Sequence, residues 1–194
     1  MKTVGITGGI GSGKTTLCKL IQIMGYPVFF ADDESKLLID NDLILKKKLI
    51  DAFGSEIYAD NGKLNRSVFA AIIFENKNSL QLANSIIHPA VIEVFDRWRK
   101  MQTTEMVFVE SAILFESVLQ HTADKTIAVS APEEIRIRRV IKRERVKREV
   151  VEARIRNQMI DEIRNAQADY IVLNDDKNLV IPQMEKIFYL LGIE

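Results

Sequence analysis

A glycine-rich loop at residues 8–15 is the feature that most limits what this chain can fold into. It reads Gly-Gly-Ile-Gly-Ser-Gly-Lys-Thr and matches the pattern G-x-x-x-x-G-K-[ST] at every fixed position. A short β-prone run at 2–7 precedes it, and apolar residues at helical spacing follow it between 17 and 24. A loop that joins a strand to a helix in this way predicts a phosphate-binding site in an α/β fold.

Each residue type in the loop has a chemical task. The four glycines let successive backbone N–H groups curl toward phosphate oxygens, and the helix that follows adds the positive end of its dipole. Lys14 is predicted to reach the β- and γ-phosphates of a nucleotide. The hydroxyl of Thr15 is predicted to hold Mg²⁺.

The composition favours one domain with a small inserted subdomain. The 194 residues have no formal net charge, so nothing attracts the chain as a whole to nucleic acid or to an anionic membrane. The single cysteine, Cys18, cannot form an internal disulfide, which fits a reducing cytoplasm. The sequence shows neither a signal-peptide layout nor an apolar run of membrane-spanning length. We therefore expect a cytoplasmic protein with no membrane or nucleic-acid partner.

Strand-like and helical patterns alternate along the chain. The strand-like runs lie at 2–7, 27–30, 105–110, 126–130 and 170–173. Several of these runs are almost wholly apolar, which predicts a mainly parallel five-stranded sheet covered by helices on both faces. We expect helical breaks near 40–42 and at 88–89. The predicted single domain has a core (1–32, 104–132 and 167–194), a helical subdomain (33–103) and a lid region (133–166).

Two acidic positions follow predicted strands, at the end of the sheet where α/β folds bind ligands. Asp32 is a candidate base for a hydroxyl that attacks the γ-phosphate, although Asp33 competes for the role and a helix N-cap is the alternative. Glu110 resembles a Walker-B acid, which supports Mg²⁺ directly or through water. The usual residue there is Asp, and a solvated charge at the strand end is the alternative.

The segment 133–156 contains ten basic and five acidic residues. Arg139 and Arg143 lie four apart on one helical face and are candidates for a lid that neutralises the transferring phosphoryl group. A solvated, salt-bridged helix surface is the better interpretation for most of the other basic residues. A nucleic-acid patch is disfavoured, because aromatic residues are absent from the segment and acids are many.

Taken together, these motifs resemble the dephospho-CoA kinase family, and the resemblance covers nearly the whole chain. It rests on 6–15, 25–28, 31–32, 64–66, 87–89, 110–116, Arg139, Arg143, 153–159 and 168–175. Three positions depart from the family pattern. Phe30 stands where Asp is usual, Ala112 where Pro is usual, and Glu144 where Asp is usual. Loss of the first acid at Phe30 favours Asp32 as the base.

The resemblance implies a P-loop kinase fold of three layers, with a helical substrate subdomain and a lid. It also implies phosphoryl transfer from ATP, with Mg²⁺, to the ribose 3′-hydroxyl of dephospho-CoA. The catalytic residues would be Lys14, Asp32, Arg139 and Arg143. The ATP-binding residues would be Gly9, Gly11, Ser12, Gly13, Lys14, Thr15, Thr16 and Asn174. The substrate-binding residues would be Asp32, Arg66 and His88, and the metal-binding residues Thr15 and Glu110.

Two other functions stay open on the sequence. Another small-molecule or nucleotide kinase would share the loop, the base and the lid. A regulatory GTPase would need an Asn-Lys-x-Asp motif after a strand, whereas residues 174–177 read Asn-Asp-Asp-Lys.

Overall fold

The computed structural model of the chain describes residues 1–75 and 77–192. The strands are β1 (Lys2–Thr7), β2 (Val28–Phe30), β3 (Met106–Glu110), β4 (Lys125–Ser130) and β5 (Tyr170–Leu173). The helices are α1 (Lys14–Ile23), α2 (Ala31–Asn41), α3 (Leu43–Phe53), α4 (Arg66–Glu75), α5 (Lys77–Lys100), α6 (Glu133–Glu144), α7 (Arg148–Arg156), α8 (Asp161–Gln167) and α9 (Val180–Leu191). Short 3₁₀ turns cover Ser55–Ile57 and Val118–Thr122.

The strands form one sheet in the order β2-β3-β1-β4-β5. Strand β1 pairs in parallel with β3 and β4, and β4 pairs in parallel with β5, which confirms the predicted mainly parallel sheet. Val107, Phe108 and Val109 are fully buried, as expected of a strand covered on both faces. The register places Ile6 beside Glu110, so the loop that follows β1 begins next to the carboxyl end of β3.

The chain divides into two compact units. The sheet unit comprises residues 1–29 and 102–192, and the helical unit comprises residues 30–101 apart from residue 76. In the sheet unit, α1 packs on β1, α8 on β4 and α9 on β5. Rings of Tyr26, Phe108 and Phe188 contact one another between these layers. The roles predicted for 33–103 and 133–166 remain predictions.

In the helical unit, α5 packs against α2, α3 and α4. The break expected near 40–42 is confirmed, because the Asp42 carboxylate caps α3 by accepting from the N–H groups of Ile44 and Leu45. The break expected at 88–89 is wrong, since α5 continues through Pro89. Pro89 removes a backbone donor, but Ile87, Val91 and Phe95 are buried along one face and hold the helix together.

Within residues 1–75 and 77–192, no helix is both long enough and apolar enough to cross a membrane.

Candidate active site

The glycine-rich loop runs from the end of β1 to the start of α1, as predicted. Gly13 is the N-cap of α1 and has a φ of 103°, a left-handed conformation that favours glycine. Inside the loop the Ser12 N–H donates to the Gly9 carbonyl at 3.1 Å. The hydroxyls of Thr7 and Ser12 are buried and have no hydrogen-bond partner among the described residues. Buried polar atoms are normally paired, so these two indicate a site shaped for a ligand.

Lys14 and Glu110 lie side by side at this edge of the sheet. The Lys14 Nζ donates to the Gly8 carbonyl at 2.8 Å and is 3.8 Å from the Glu110 Oε1. Glu110 is only 7% exposed, so the alternative of a solvated strand-end charge is wrong. A buried carboxylate next to the phosphate loop is the arrangement expected of a Walker-B acid.

Cys18 lies one turn further along α1 and is fully buried. Burial raises the pKa of its thiol well above the ordinary range, the Glu110 carboxylate raises it further, and Lys14 opposes this effect. Because the thiolate is the reactive form, the thiol packs as a small apolar group and has no nucleophilic role.

We expect Cys18 to resist alkylation in the folded protein. Iodoacetamide should label the native chain far more slowly than the denatured chain, because the thiol is both inaccessible and protonated. Mass spectrometry of the time course is unambiguous, since the chain has no other cysteine. Rapid, complete labelling of the native protein would show that the thiol is open and active.

Asn174 and Arg139 contact the carbonyl side of the loop. The Asn174 amide donates to the Ser12 carbonyl at 2.7 Å and accepts from Arg139 at 3.2 Å. Arg139 also donates to the Gly11 and Ser12 carbonyls at 3.4 Å and pairs with Asp176 at 2.5 Å. The hydrogen bond from Arg139 is the main cause that lowers the pKa of the Asp176 carboxyl. The structure thus brings two predicted site residues to the loop.

Arg143, the second predicted lid arginine, does not share these contacts. It is mostly exposed and pairs with the neighbouring Glu144 at 2.5 Å. Hydrogen bonds from Arg143 and then Arg154 lower the pKa of the Glu144 carboxyl. Arg148 pairs in turn with Glu134 and Glu152, so much of the basic segment is a salt-bridged surface.

A buried arginine, one of the ten basic residues of the segment 133–156, also reaches the loop. The Arg136 Nε donates to the Ile10 carbonyl at 2.9 Å, and the Ile10 N–H donates to the Gln158 side chain at 2.8 Å. The signal was present in the pattern, because Arg136 lies on the same face of α6 as Ile137 and Val140. A charged residue within an apolar stripe indicates a buried polar contact.

The helical unit holds the predicted base, Asp32. The N-cap of α2 is Phe30 and Asp32 is the second helical residue, so the N-cap alternative is wrong. Asp33 is exposed and pairs with Lys36 at 2.6 Å, on the next turn of the same helix. The half-buried Asp32 is therefore the better candidate of the two for a catalytic carboxylate.

Arg66 and His88 also lie in the helical unit, on α4 and α5. Arg66 is half exposed and pairs with Asp40 at 3.0 Å. The Asn65 side chain caps the start of α4 by accepting from the Val68 N–H, and Arg66 is the first residue of that helix. Burial lowers the pKa of His88, which favours the neutral form of its imidazole.

Comparison with known proteins identifies the family. The family model described as dephospho-CoA kinase matches residues 2–179. A dephospho-CoA kinase from Bacteroides fragilis (strain YCH46) is 37% identical, over 96% of this chain and 95% of that protein. One from Porphyromonas gingivalis is 38% identical, over 96% of this chain and 93% of that protein. The chain belongs to the dephospho-CoA kinase family.

Solved structures agree with membership in the dephospho-CoA kinase family. A Thermus thermophilus protein of known crystal structure matches with a TM-score of 0.85 and 30% identity, over 98% of this chain and 96% of that one. A shikimate kinase from Bacteroides thetaiotaomicron matches with a TM-score of 0.53 at 14% identity, over 99% of both chains, and shares the fold alone. The predicted P-loop kinase fold is thereby confirmed. Within the dephospho-CoA kinase family the loop serves a kinase, which decides against a regulatory GTPase.

Proposed function

We propose that this chain transfers the γ-phosphoryl group of ATP to the ribose 3′-hydroxyl of dephospho-CoA, giving CoA and ADP. One observation carries the proposal: in a chain of this family, a complete phosphate loop places Lys14 3.8 Å from the buried Glu110. The same proposal places the protein's activity in the cytoplasm, where ATP is available.

The loop and its neighbours would bind and orient the triphosphate. The loop residues Gly9, Gly11, Ser12, Gly13, Lys14, Thr15 and Thr16 would surround its oxygens. Backbone N–H groups of the loop would face these oxygens, although those of Ser12 and Thr16 donate to the Gly9 and Gly13 carbonyls, and the start of α1 would add its dipole. Lys14 would bind the β- and γ-phosphates, where negative charge shifts during transfer. Asn174 would lie near the adenine, and Arg139 and Arg143 would stabilise the transferring phosphoryl group.

The donor set at the loop fits Mg²⁺. The Thr15 hydroxyl and the Glu110 carboxylate are hard oxygen ligands, and Mg²⁺ bound with nucleotides keeps waters and takes only one or two protein ligands. The described residues hold no cluster of three His, Cys, Asp or Glu side chains that would form an all-protein metal cage. When bound, the ion would neutralise charge on the β- and γ-oxygens; Thr15 would hold it, with Glu110 acting directly or through water.

Asp32 would be the general base. Its carboxylate would orient the ribose 3′-hydroxyl and accept its proton as the hydroxyl oxygen bonds to the γ-phosphorus. The bond from the γ-phosphorus to the β–γ bridging oxygen breaks, and ADP leaves with that oxygen. Arg66 would meet an acidic group of the acceptor and His88 a polar one, so acceptor recognition would depend on residues of α4 and α5.

An acceptor screen tests this proposal. ADP release should depend on dephospho-CoA, and mass spectrometry should identify CoA as the product. CoA itself is the matched control, because its 3′-position already carries phosphate and offers no hydroxyl there. ADP release at a comparable rate with nucleosides or nucleoside monophosphates would instead identify another small-molecule kinase.

A further inference from the structure

One guanidinium lies directly against the outer side of the phosphate loop. Arg136 is 1% exposed, and its Nε donates to the Ile10 carbonyl at 2.9 Å. A Cβ on Gly9 would come within 2.4 Å of that guanidinium, so the glycine is what permits the approach. The backbone carbonyl oxygen of Arg136 would lie 2.6 Å from a Cβ added to Gly11. Arg136 thus contacts the loop at three consecutive residues.

The same stretch of loop is also held by Gln158. The Ile10 N–H donates to the Gln158 Oε1 at 2.8 Å. Both polar backbone groups of Ile10 are therefore hydrogen-bonded to side chains more than a hundred residues away in the sequence. A loop so fixed cannot rotate its peptide planes freely, and those planes determine where its N–H groups point.

Arg136 is itself oriented by a buried ion-pair network. Asp161, at the start of α8, accepts hydrogen bonds from Arg136 through one oxygen and from Arg164 through the other. Arg164 is also 1% exposed and donates to the Met159 carbonyl at 2.6 Å, but none of its hydrogen bonds in the described chain reaches the loop. Two buried arginines thus share one carboxylate, and only Arg136 bonds to the phosphate site.

We propose that Arg136 is a positioning residue for the phosphate loop, oriented by Asp161 and assisted by Gln158. Buried ion pairs contribute little net stability compared with apolar side chains of similar volume. Stability alone therefore does not explain why a buried Arg136–Asp161 pair occurs here. Here the guanidinium fixes the Ile10 carbonyl and thereby aims the neighbouring N–H groups at the nucleotide phosphates. The inference rests on the proposed binding of ATP, but not on the identity of the acceptor.

The test compares two variants that differ in contact with the loop. Arg136→Gln and Arg164→Gln each remove one buried guanidinium from Asp161, and we expect both to lower the melting temperature. Only Arg136→Gln should weaken binding of ATP and ADP, by about 10- to 100-fold, the range for a hydrogen bond from a charged donor. Its KM for ATP should rise while its KM for dephospho-CoA stays within about twofold of wild type.

Equal nucleotide dissociation constants in the two variants would overturn the proposal. If Arg136→Gln does not fold, Gln158→Leu provides the same test, because it removes the other side-chain bond to Ile10 without touching a buried charge. We expect it to weaken ATP binding about tenfold, and a wild-type dissociation constant would again overturn the proposal.

The binding measurement also separates this inference from the proposed function. Direct titration with ATP needs no acceptor, so a wild-type protein that binds ATP but does not phosphorylate dephospho-CoA would refute only the function. A wild-type protein that phosphorylates dephospho-CoA, with Arg136→Gln and Arg164→Gln binding ATP alike, would refute only the role of Arg136.

Discussion

Replacing Lys14 by methionine is expected to reduce turnover about a thousandfold and to weaken ATP binding, because one charged donor to the transferring phosphoryl group is lost. The Lys14 Nζ sits between the Gly8 carbonyl and the Glu110 carboxylate, inside the loop rather than in solvent. Methionine keeps most of the length of the side chain, so the change tests the charge and its hydrogen bonds.

Lys19→Met is the matched control, since Lys19 lies on the same helix but is exposed. It should change kcat and the dissociation constant for ATP by no more than about twofold. Steady-state kinetics with ATP and dephospho-CoA, together with calorimetric titration of ATP, give both quantities. If the turnover of Lys14→Met stays within tenfold of wild type, Lys14 is not a catalytic residue.

Replacing Asp32 by asparagine is expected to reduce kcat by about a hundredfold or more while ATP binding is retained. Asparagine has nearly the shape of aspartate but cannot accept the proton of the 3′-hydroxyl. Because no residue of the phosphate loop changes, the effect should be confined to chemistry. The dissociation constant for ATP, measured by titration, should remain within about twofold of wild type.

The adjacent acid provides the control for this change. Asp33→Asn alters the same charge one residue away, at an exposed carboxylate already paired with Lys36. We expect its kcat to stay close to wild type, which would assign the effect to one position rather than to the local charge. Near-native turnover of Asp32→Asn, or an equal loss in Asp33→Asn, would contradict the role of Asp32 as base.

Patterns that are local in the sequence predict the structure most directly. The loop could be predicted because its glycines, Lys14 and Thr15 are contiguous and lie between a strand and a helix. Glu110 could be located because a parallel sheet brings the carboxyl ends of its strands together, and the register with Ile6 confirms that it lies beside the loop. In both cases backbone geometry alone determines the position.

Features that depend on distant partners could not be predicted. A proline in a helical pattern usually indicates a break, yet α5 passes through Pro89 because its apolar face is buried against other helices. Arg136 looked like one more surface charge because its partners, Ile10 and Asp161, lie far from it in the sequence. The apolar stripe of α6 indicates that Arg136 is buried, but which groups it contacts is decided by tertiary packing, which no local pattern encodes.

The central position of β1 in the sheet has a consequence for how this chain matures. The loop belongs to the first 15 residues, but the side chains that fix it arrive with Glu110, Arg136, Gln158 and Asn174. Contacts of such long sequence separation cannot form before their distant partners have been synthesised. During synthesis the motif thus emerges from the ribosome early, whereas the side chains that fix it follow only with most of the chain. A fragment that retains the motif but ends before β4 would lack three of these four side chains.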